Sequence, residues 1–117
     1  MQEKPKIRSI GTHMDPGGTT YTVYTCPANH IAKMTLLFIS NSGSGNKTVT
    51  VEWNDTSEGE TYHILGGYVL SAYGYLKLDQ SYLVLHPGDT IEITPEASSH
   101  MDAIVTVEEH LTTSLLF

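Results

Sequence analysis

The chain has 117 residues, with 13 acidic and six basic side chains and a formal net charge of −7 at pH 7. This length predicts one domain, and the acidic balance argues against a nucleic-acid partner because like charges repel the phosphate backbone. No apolar run approaches the roughly 20 residues of a membrane span, so we expect no membrane partner either.

The first 18 residues predict an N-terminal arm followed by a weak strand. Residues 1–6 contain Pro5 and mostly charged side chains, which is typical of a flexible terminus. A weak strand over residues 7–14 leads to Asp-Pro-Gly-Gly at 15–18, a strong turn sequence. The next strand, over residues 19–25, is rich in threonine, tyrosine and valine, which favour strands.

Residues 31–53 form the stretch around which the rest of the chain is expected to fold. Val49, Val51 and Trp53 alternate with polar residues, and a period of two is typical of a half-buried strand. The preceding strand is apolar on both faces between residues 36 and 39, and a Gly-Ser-Asn segment joins the two. The stretch predicts a long β-hairpin or its sandwich equivalent, with the Trp53 indole buried at its centre.

The second half of the chain repeats the pattern of short strands and turns. Ile91 and Ile93 are predicted to point inward, as are Ala103, Val105 and Val107 of the last strand. The predicted strands are 60–65, 68–70, 73–78, 82–85, 90–94 and 103–111. No window has helical periodicity, so we expect an all-β fold, a single antiparallel β-sandwich or jelly roll of roughly eight strands over residues 19–111.

The two ends of the chain are the predicted assembly interface. The first eight residues carry a charge of +2, while the rest carries −9, so the arm is either solvated or in contact with the acidic body of a neighbour. Residues 112–117 form an apolar tail that either docks on a neighbour or folds over its own sandwich. The interface residues are Lys4, Lys6, Arg8, Leu115, Leu116 and Phe117.

No catalytic, cofactor or metal site is predicted. None of the six histidines has a second ligand at a short metal-binding spacing. The acids Glu52, Asp55, Glu58 and Glu60 surround one turn and are interpreted as a solvated loop, with Ca²⁺ binding as the alternative. Cys26, the only cysteine, cannot form an internal disulfide and is interpreted as a small buried residue.

The tyrosines leave two interpretations open. Those at positions 62, 68, 73, 75 and 82 follow one another closely along the chain. Such residues are common in the packing and the interfaces of small β proteins. Exposed aromatic rings also suit sugars, so a carbohydrate platform is the alternative.

Five short sequences carry a likeness to a known family. They are Tyr-Thr-Cys-Pro at 24–27, Ala-Asn-His-Ile-Ala-Lys at 28–33, Ile-Ser-Asn-Ser at 39–42, Val-Thr-Val-Glu-Trp at 49–53 and Leu-His-Pro-Gly-Asp-Thr-Ile at 85–91. Their order resembles small β-sandwich structural proteins of tailed bacteriophages, a group of virion, head-decoration and tail-associated components. The resemblance covers residues 19–111.

The resemblance implies a virion building block without enzymatic activity. Many such proteins form symmetric oligomers, so we expect a capsid decoration (cement) protein that docks on the shell as a homotrimer. Its partners would be other copies of itself and the phage major capsid protein or other virion proteins, assembled in the host cytoplasm. A tail-associated knob that binds a receptor or glycan is the second hypothesis, and a metal-dependent jelly-roll enzyme is the third.

Overall fold

The computed structural model describes residues 4–112, and within that range it contains nine β-strands and no α-helix. The strands are β1 Lys6–Met14, β2 Tyr21–Thr25, β3 His30–Asn41, β4 Lys47–Asp55, β5 Glu60–Leu70, β6 Tyr75–Leu78, β7 Leu83–Leu85, β8 Thr90–Pro95 and β9 Met101–Leu111. The predicted all-β sandwich is confirmed. Over the described range no helix is long and apolar enough to cross a membrane.

The strands form two antiparallel sheets. Sheet one has the order β1-β9-β3-β6, with β7 also paired to β3, and sheet two has the order β2-β8-β4-β5. Strands that follow one another in the chain mostly belong to different sheets, which is the jelly-roll arrangement. The count is nine rather than eight because β6 and β7 share the same edge of β3, where they pair with residues 37–40 and 32–34.

The core lies between the sheets and is supplied by alternate residues of the long strands. Period-two alternation puts one face of each strand inward, so the inward side chains of both sheets meet. The residues predicted to point inward in β8 and β9 are buried, as are Val49 and Val51 of β4. The largest fully buried apolar side chains are Met14, Leu37, Ile39, Leu85, Ile91, Ile93, Met101, Val49, Val51, Val105 and Val107.

The stretch at 31–53 is the sandwich equivalent of a hairpin. Its two strands, β3 and β4, belong to different sheets, so the connection at 42–46 crosses the sandwich. Asn41 holds this crossing and is itself buried. Its side-chain amide donates to the carbonyls of Gly45, Leu70 and Ser71 at 3.0, 3.2 and 3.1 Å. A buried amide with these partners fixes the crossing, because breaking it would leave polar groups unsatisfied.

Two predictions about β4 and β5 of sheet two are wrong. The strands predicted at 60–65 and 68–70 are one strand, β5, because Gly67 adopts a positive φ of 62° and lets the chain continue through a bulge. Trp53 is half-buried near the end of the sandwich and not at its centre. Its indole Nε1 donates to Asp89 Oδ2 at 3.2 Å, the kind of partner that a buried indole N–H requires.

The weak strand predicted over residues 7–14 lies at the edge of sheet one. β1 starts at Lys6 and pairs with β9 from Lys6–Glu109 to Met14–Met101. Met14 is fully buried at its end. The predicted arm covers residues 1–6. The structure describes its residues Lys4 and Pro5 ahead of β1, and Lys6 is the first residue of β1.

Candidate interaction surface

Large exposed apolar and aromatic side chains concentrate along one side of the sandwich. Of the ten such side chains in residues 4–112, eight belong to β5, β6, β7 or the segments between them. β5 is an edge strand of sheet two, and β6 and β7 form an edge of sheet one. These two edges lie on the same side of the sandwich, because the other two edge strands, β1 and β2, contact each other on the opposite side. We call this surface the tyrosine side. Its members are Tyr62, Tyr68, Val69, Tyr73, Tyr75, Leu78, Tyr82 and Val84.

The five tyrosines singled out in the sequence all belong to this surface. Tyr73, Tyr75 and Tyr82 are 73%, 65% and 60% exposed. Exposure at this level excludes core packing as their role. Such a surface can contact a partner protein or a ligand, since large exposed apolar patches mark interaction sites.

Three aromatic contacts hold rings of the tyrosine side in place. Tyr75 stacks on Phe38 with ring centroids 5.4 Å apart and an interplanar angle of 17°. Tyr62 packs against Trp53 at 5.3 Å. The Lys33 ammonium lies 4.6 Å from the centroid of the Tyr82 ring, a cation–π geometry. Rings fixed in this way lose little further conformational freedom when a partner binds.

A groove opens between the two sheets in the middle of the tyrosine side. We call it the side groove, and its volume is about 480 Å³. Its walls are apolar and come from Met34, Ile64, Leu78, Tyr82 and Leu83, with the polar segment 79–81 at its rim. It forms because residues 79–82 leave the sheet between β6 and β7. No short sequence motif predicts the side groove, because its walls come from three segments that are distant in the chain.

The N-terminal basic residues have different environments. Arg8 donates from Nε and Nη2 to both carboxylate oxygens of Glu109, at 3.1 and 3.0 Å. Tyr24 donates its hydroxyl to the same carboxylate at 2.6 Å. Burial disfavours the charge on Glu109, but these hydrogen bonds outweigh it and hold its pKa below the ordinary value. Arg8 thus pairs with a carboxylate of its own chain but stays exposed, as Lys4 and Lys6 do, so the predicted contact of these residues with a neighbour stays a prediction.

The three C-terminal interface residues, Leu115, Leu116 and Phe117, lie outside the described residues. The described chain ends at Thr112, whose backbone N–H and hydroxyl both donate to the Asn29 carbonyl, at 2.8 and 3.0 Å. The tail therefore leaves from a fixed point at the end of sheet one.

Four of the six histidines each contact a single carboxylate, and these pairs do not converge. The pairs are His13–Asp102 at 2.6 Å, His100–Asp15 at 2.9 Å, His63–Glu52 at 3.2 Å and His110–Glu108 at 3.2 Å. Within residues 4–112 no three histidine, cysteine or acidic side chains are grouped so as to hold a metal ion. The acidic side chains around the turn at residues 52–60 therefore form no such group either.

Cys26 is buried, as predicted. Burial raises the pKa of its thiol to about 11, which keeps it protonated near neutral pH. A protonated, buried thiol is a poor nucleophile. Cys26 therefore acts as a small core residue.

Asp89 is a buried carboxylate that the sequence reading did not single out. It is fully buried and accepts hydrogen bonds from the His86 backbone, the Trp53 indole, and the backbone and hydroxyl of Thr56. Its partners belong to β4, the acidic turn and the turn at 86–89. An aspartate directly after a Pro-Gly turn could have marked Asp89 as a structural residue. Its hydrogen-bond partners could not be predicted, because two of them, Trp53 and Thr56, are distant in the chain.

The comparisons with protein-family models and with curated proteins find no match. Solved structures share the fold. An endospore appendage protein of Bacillus, which forms disulfide-linked pili, has a TM-score of 0.54 at 13% identity, covering 95% of this chain and 91% of that chain. The capsid structure of Helicobacter pylori bacteriophage KHP30 gives 0.53 at 10%, covering 96% and 91%. The VP2 subviral particle of infectious bursal disease virus gives 0.53 at 12%, covering 99% and 36%.

Proposed function

We propose that this chain is a non-enzymatic structural protein of a bacteriophage virion, a capsid decoration protein that docks on the shell as an oligomer. The observation that carries the proposal is the tyrosine side, with eight of the ten large exposed apolar and aromatic side chains on one side of the sandwich. Such a surface is costly in water and is stabilised when a protein partner covers it. Tyrosines are also enriched in interfaces.

Two further observations support a structural role. In the described part of the chain four histidines each pair with a single carboxylate, no three histidine, cysteine or acidic side chains are grouped so as to hold a metal ion, and the one cysteine is buried. Proteins of a phage capsid, a viral subviral particle and a pilus use the same fold. The expected partners are other copies of the chain, as a homotrimer, together with the major capsid protein of the same virion.

Co-sedimentation with capsid shells tests the proposal. The chain is expressed with the major capsid protein encoded in the same genome, and the shells are separated on a gradient. We expect the wild-type chain in the shell fraction and a tenfold or greater loss for Tyr73→Ser/Tyr75→Ser. Ile7→Ser is the matched control, because Ile7 is 70% exposed but lies on β1, at the opposite side. A chain that never enters the shell fraction would refute the decoration role.

A tail-associated knob that binds a receptor or glycan is the second candidate, and the exposed ring of Tyr73 favours it specifically. Flat aromatic faces bind the apolar face of a sugar ring. Binding of the chain to a glycan array, abolished by Tyr73→Ser, together with no shell association, would select this function. A gene located among tail-fibre genes would agree with it.

A further inference from the structure

The side groove combines apolar walls with a polar rim. Its volume of about 480 Å³ falls within the range of small-molecule sites. Met34 is buried in its wall, and Ile64 and Leu83 pack against the core beside it. The rim comes from four consecutive exposed residues, Asp79, Gln80, Ser81 and Tyr82. A ligand that fits this lining needs an apolar face and groups that form hydrogen bonds.

The charges at the groove favour a neutral ligand. The lining includes one cation and one anion, with Lys77 Nζ 3.6 Å from Asp79 Oδ2, so the two charges cancel. The chain as a whole has a net charge of −7 and repels anions such as phosphates. A purely apolar ligand is also unsuitable, because it would cover the polar groups of the rim without replacing their hydrogen bonds to water.

The sheet edges beside the groove do not suit an extended peptide. Such peptides commonly bind by adding a strand to a sheet, which requires a continuous free edge. The edge formed by β6 and β7 is interrupted, because residues 79–82 leave the sheet between these strands. Across the groove, Ile64 lies at a register shift of β5 against β4, and a bulge disrupts a strand edge. Recognition at the groove therefore depends on its side chains.

Tyr82 supplies the aromatic ring of this lining. The ring is 60% exposed, and the Lys33 ammonium lies over it at 4.6 Å from the centroid, which fixes its orientation before a ligand binds. The apolar face of a pyranose stacks on such a ring, while each of its hydroxyls both donates and accepts hydrogen bonds. The rim matches these hydroxyls, since Lys77 donates, Asp79 accepts and Gln80 does both.

We infer that the side groove binds a neutral pyranose unit of a glycan. Tyr82 is the stacking platform, and Lys77, Asp79 and Gln80 are the hydrogen-bonding residues. This rests on the second candidate function, the glycan-binding knob, and names a site for it on the tyrosine side. Tyr73, which precedes β6 on the same side, would contact a further unit of a longer glycan.

Titration of the isotope-labelled full chain with neutral disaccharides, followed in amide NMR spectra, tests the inference. The probes are lactose, maltose and cellobiose. We expect at least one of them to shift the amides of residues 77–83, and Tyr82→Ser to weaken its binding about tenfold or more. Tyr68→Ser is the matched control and should bind as the wild type does, because Tyr68 is 45% exposed on the same side but does not line the groove.

Circular dichroism melts verify that each variant folds, and Asp79→Ala replaces Tyr82→Ser if the latter unfolds. Unchanged binding in Tyr82→Ser, equal losses in Tyr68→Ser, or no amide shift with any sugar at tens of millimolar would overturn the inference. Indole is the comparison probe, because it represents an aromatic side chain of a protein partner. Shifts of residues 77–83 with indole and with no sugar would overturn the inference and assign the groove to a protein contact.

The proposed functions are judged separately. Glycan-array binding that requires Tyr73 but not Tyr82 would retain the second candidate function and overturn this site. Shell co-sedimentation tests the decoration role whatever the disaccharides do.

Discussion

Replacing Asp89 should cause the largest loss of stability among the polar side chains of this fold. The carboxylate is fully buried and accepts four hydrogen bonds: from His86 N–H at 3.0 Å, Thr56 N–H at 3.0 Å, the Thr56 hydroxyl at 3.0 Å and Trp53 Nε1 at 3.2 Å. Burial favours the neutral acid, but the backbone donors of His86 and Thr56, with the two side-chain donors, hold the pKa of Asp89 below its ordinary value.

Asp89→Ala removes the acceptor of all four bonds and leaves donors without partners at the end of the sandwich. Removing one member of a buried charged network costs about 3–5 kcal/mol. In a chain of 117 residues, 1 kcal/mol lowers the melting temperature by about 4 °C, so the expected decrease is about 12–20 °C. Asp89→Asn should cost about 2–4 kcal/mol, because its amide group faces donors where the carboxylate accepted.

Urea unfolding followed in parallel by Trp53 fluorescence and circular dichroism measures these losses. Both probes are needed because Trp53 contacts Asp89 directly, and coincident curves show that the whole domain unfolds together. Asp79→Ala is the control: the side chain is exposed and lies 3.6 Å from Lys77, so its loss should cost less than about 1 kcal/mol. If Asp89→Ala unfolds at the same urea concentration as Asp79→Ala, the buried network has no structural role.

The same carboxylate predicts a pH dependence. Its pKa is lower in the folded chain than the value of about 3.9 in an unfolded chain, so ionised Asp89 stabilises the fold above about pH 4. This stabilisation is lost as the pH falls through the folded-state pKa. The stability difference between wild type and Asp89→Asn should therefore be constant from pH 7 to 5 and shrink below pH 4. A difference that stays constant down to pH 2.5 would contradict this.

Three smaller predictions concern the core and metal binding. Tyr24→Phe should cost about 1–2 kcal/mol in urea unfolding, because the buried hydroxyl donates to Glu109, and an unchanged midpoint would count against that bond. Cys26 should resist iodoacetamide at pH 8 in the folded chain and react in urea, since burial raises its thiol pKa to about 11; rapid labelling of the folded chain would show an accessible thiolate. Melts with and without EDTA should coincide within about 4 °C, unless elemental analysis finds stoichiometric metal.

Side-chain alternation in the sequence was enough to identify most strands and their buried faces. Val49 and Val51 in β4, Ile91 and Ile93 in β8, and alternate residues of β9 point inward as the period of two requires. This works because alternation across a strand is a local property of the extended backbone, independent of which strand lies alongside. The absence of helical periodicity followed from the same local reasoning, whereas the burial of Cys26 was predicted because it is the only cysteine.

Which strands pair, and what the pairing brings together, was decided only by the tertiary structure. β3 and β4 are consecutive but belong to different sheets, because each finds its partners among strands distant in the chain. As a result of this pairing, Trp53 lies at the end of the sandwich, hydrogen-bonded to Asp89, and not at the expected centre of the core. It also places Arg8 against Glu109, 101 residues away in the chain.

The side groove has the same origin. Its walls come from β3, from β5 and from the segment joining β6 to β7, which are separated in the sequence and meet only when the two sheets pack. The alternating pattern of each strand shows which side chains turn inward, but not which of them is left uncovered where β6 and β7 separate. Local periodicity therefore determined the strands and the core, whereas long-range pairing between sheets determined the tyrosine side and its groove.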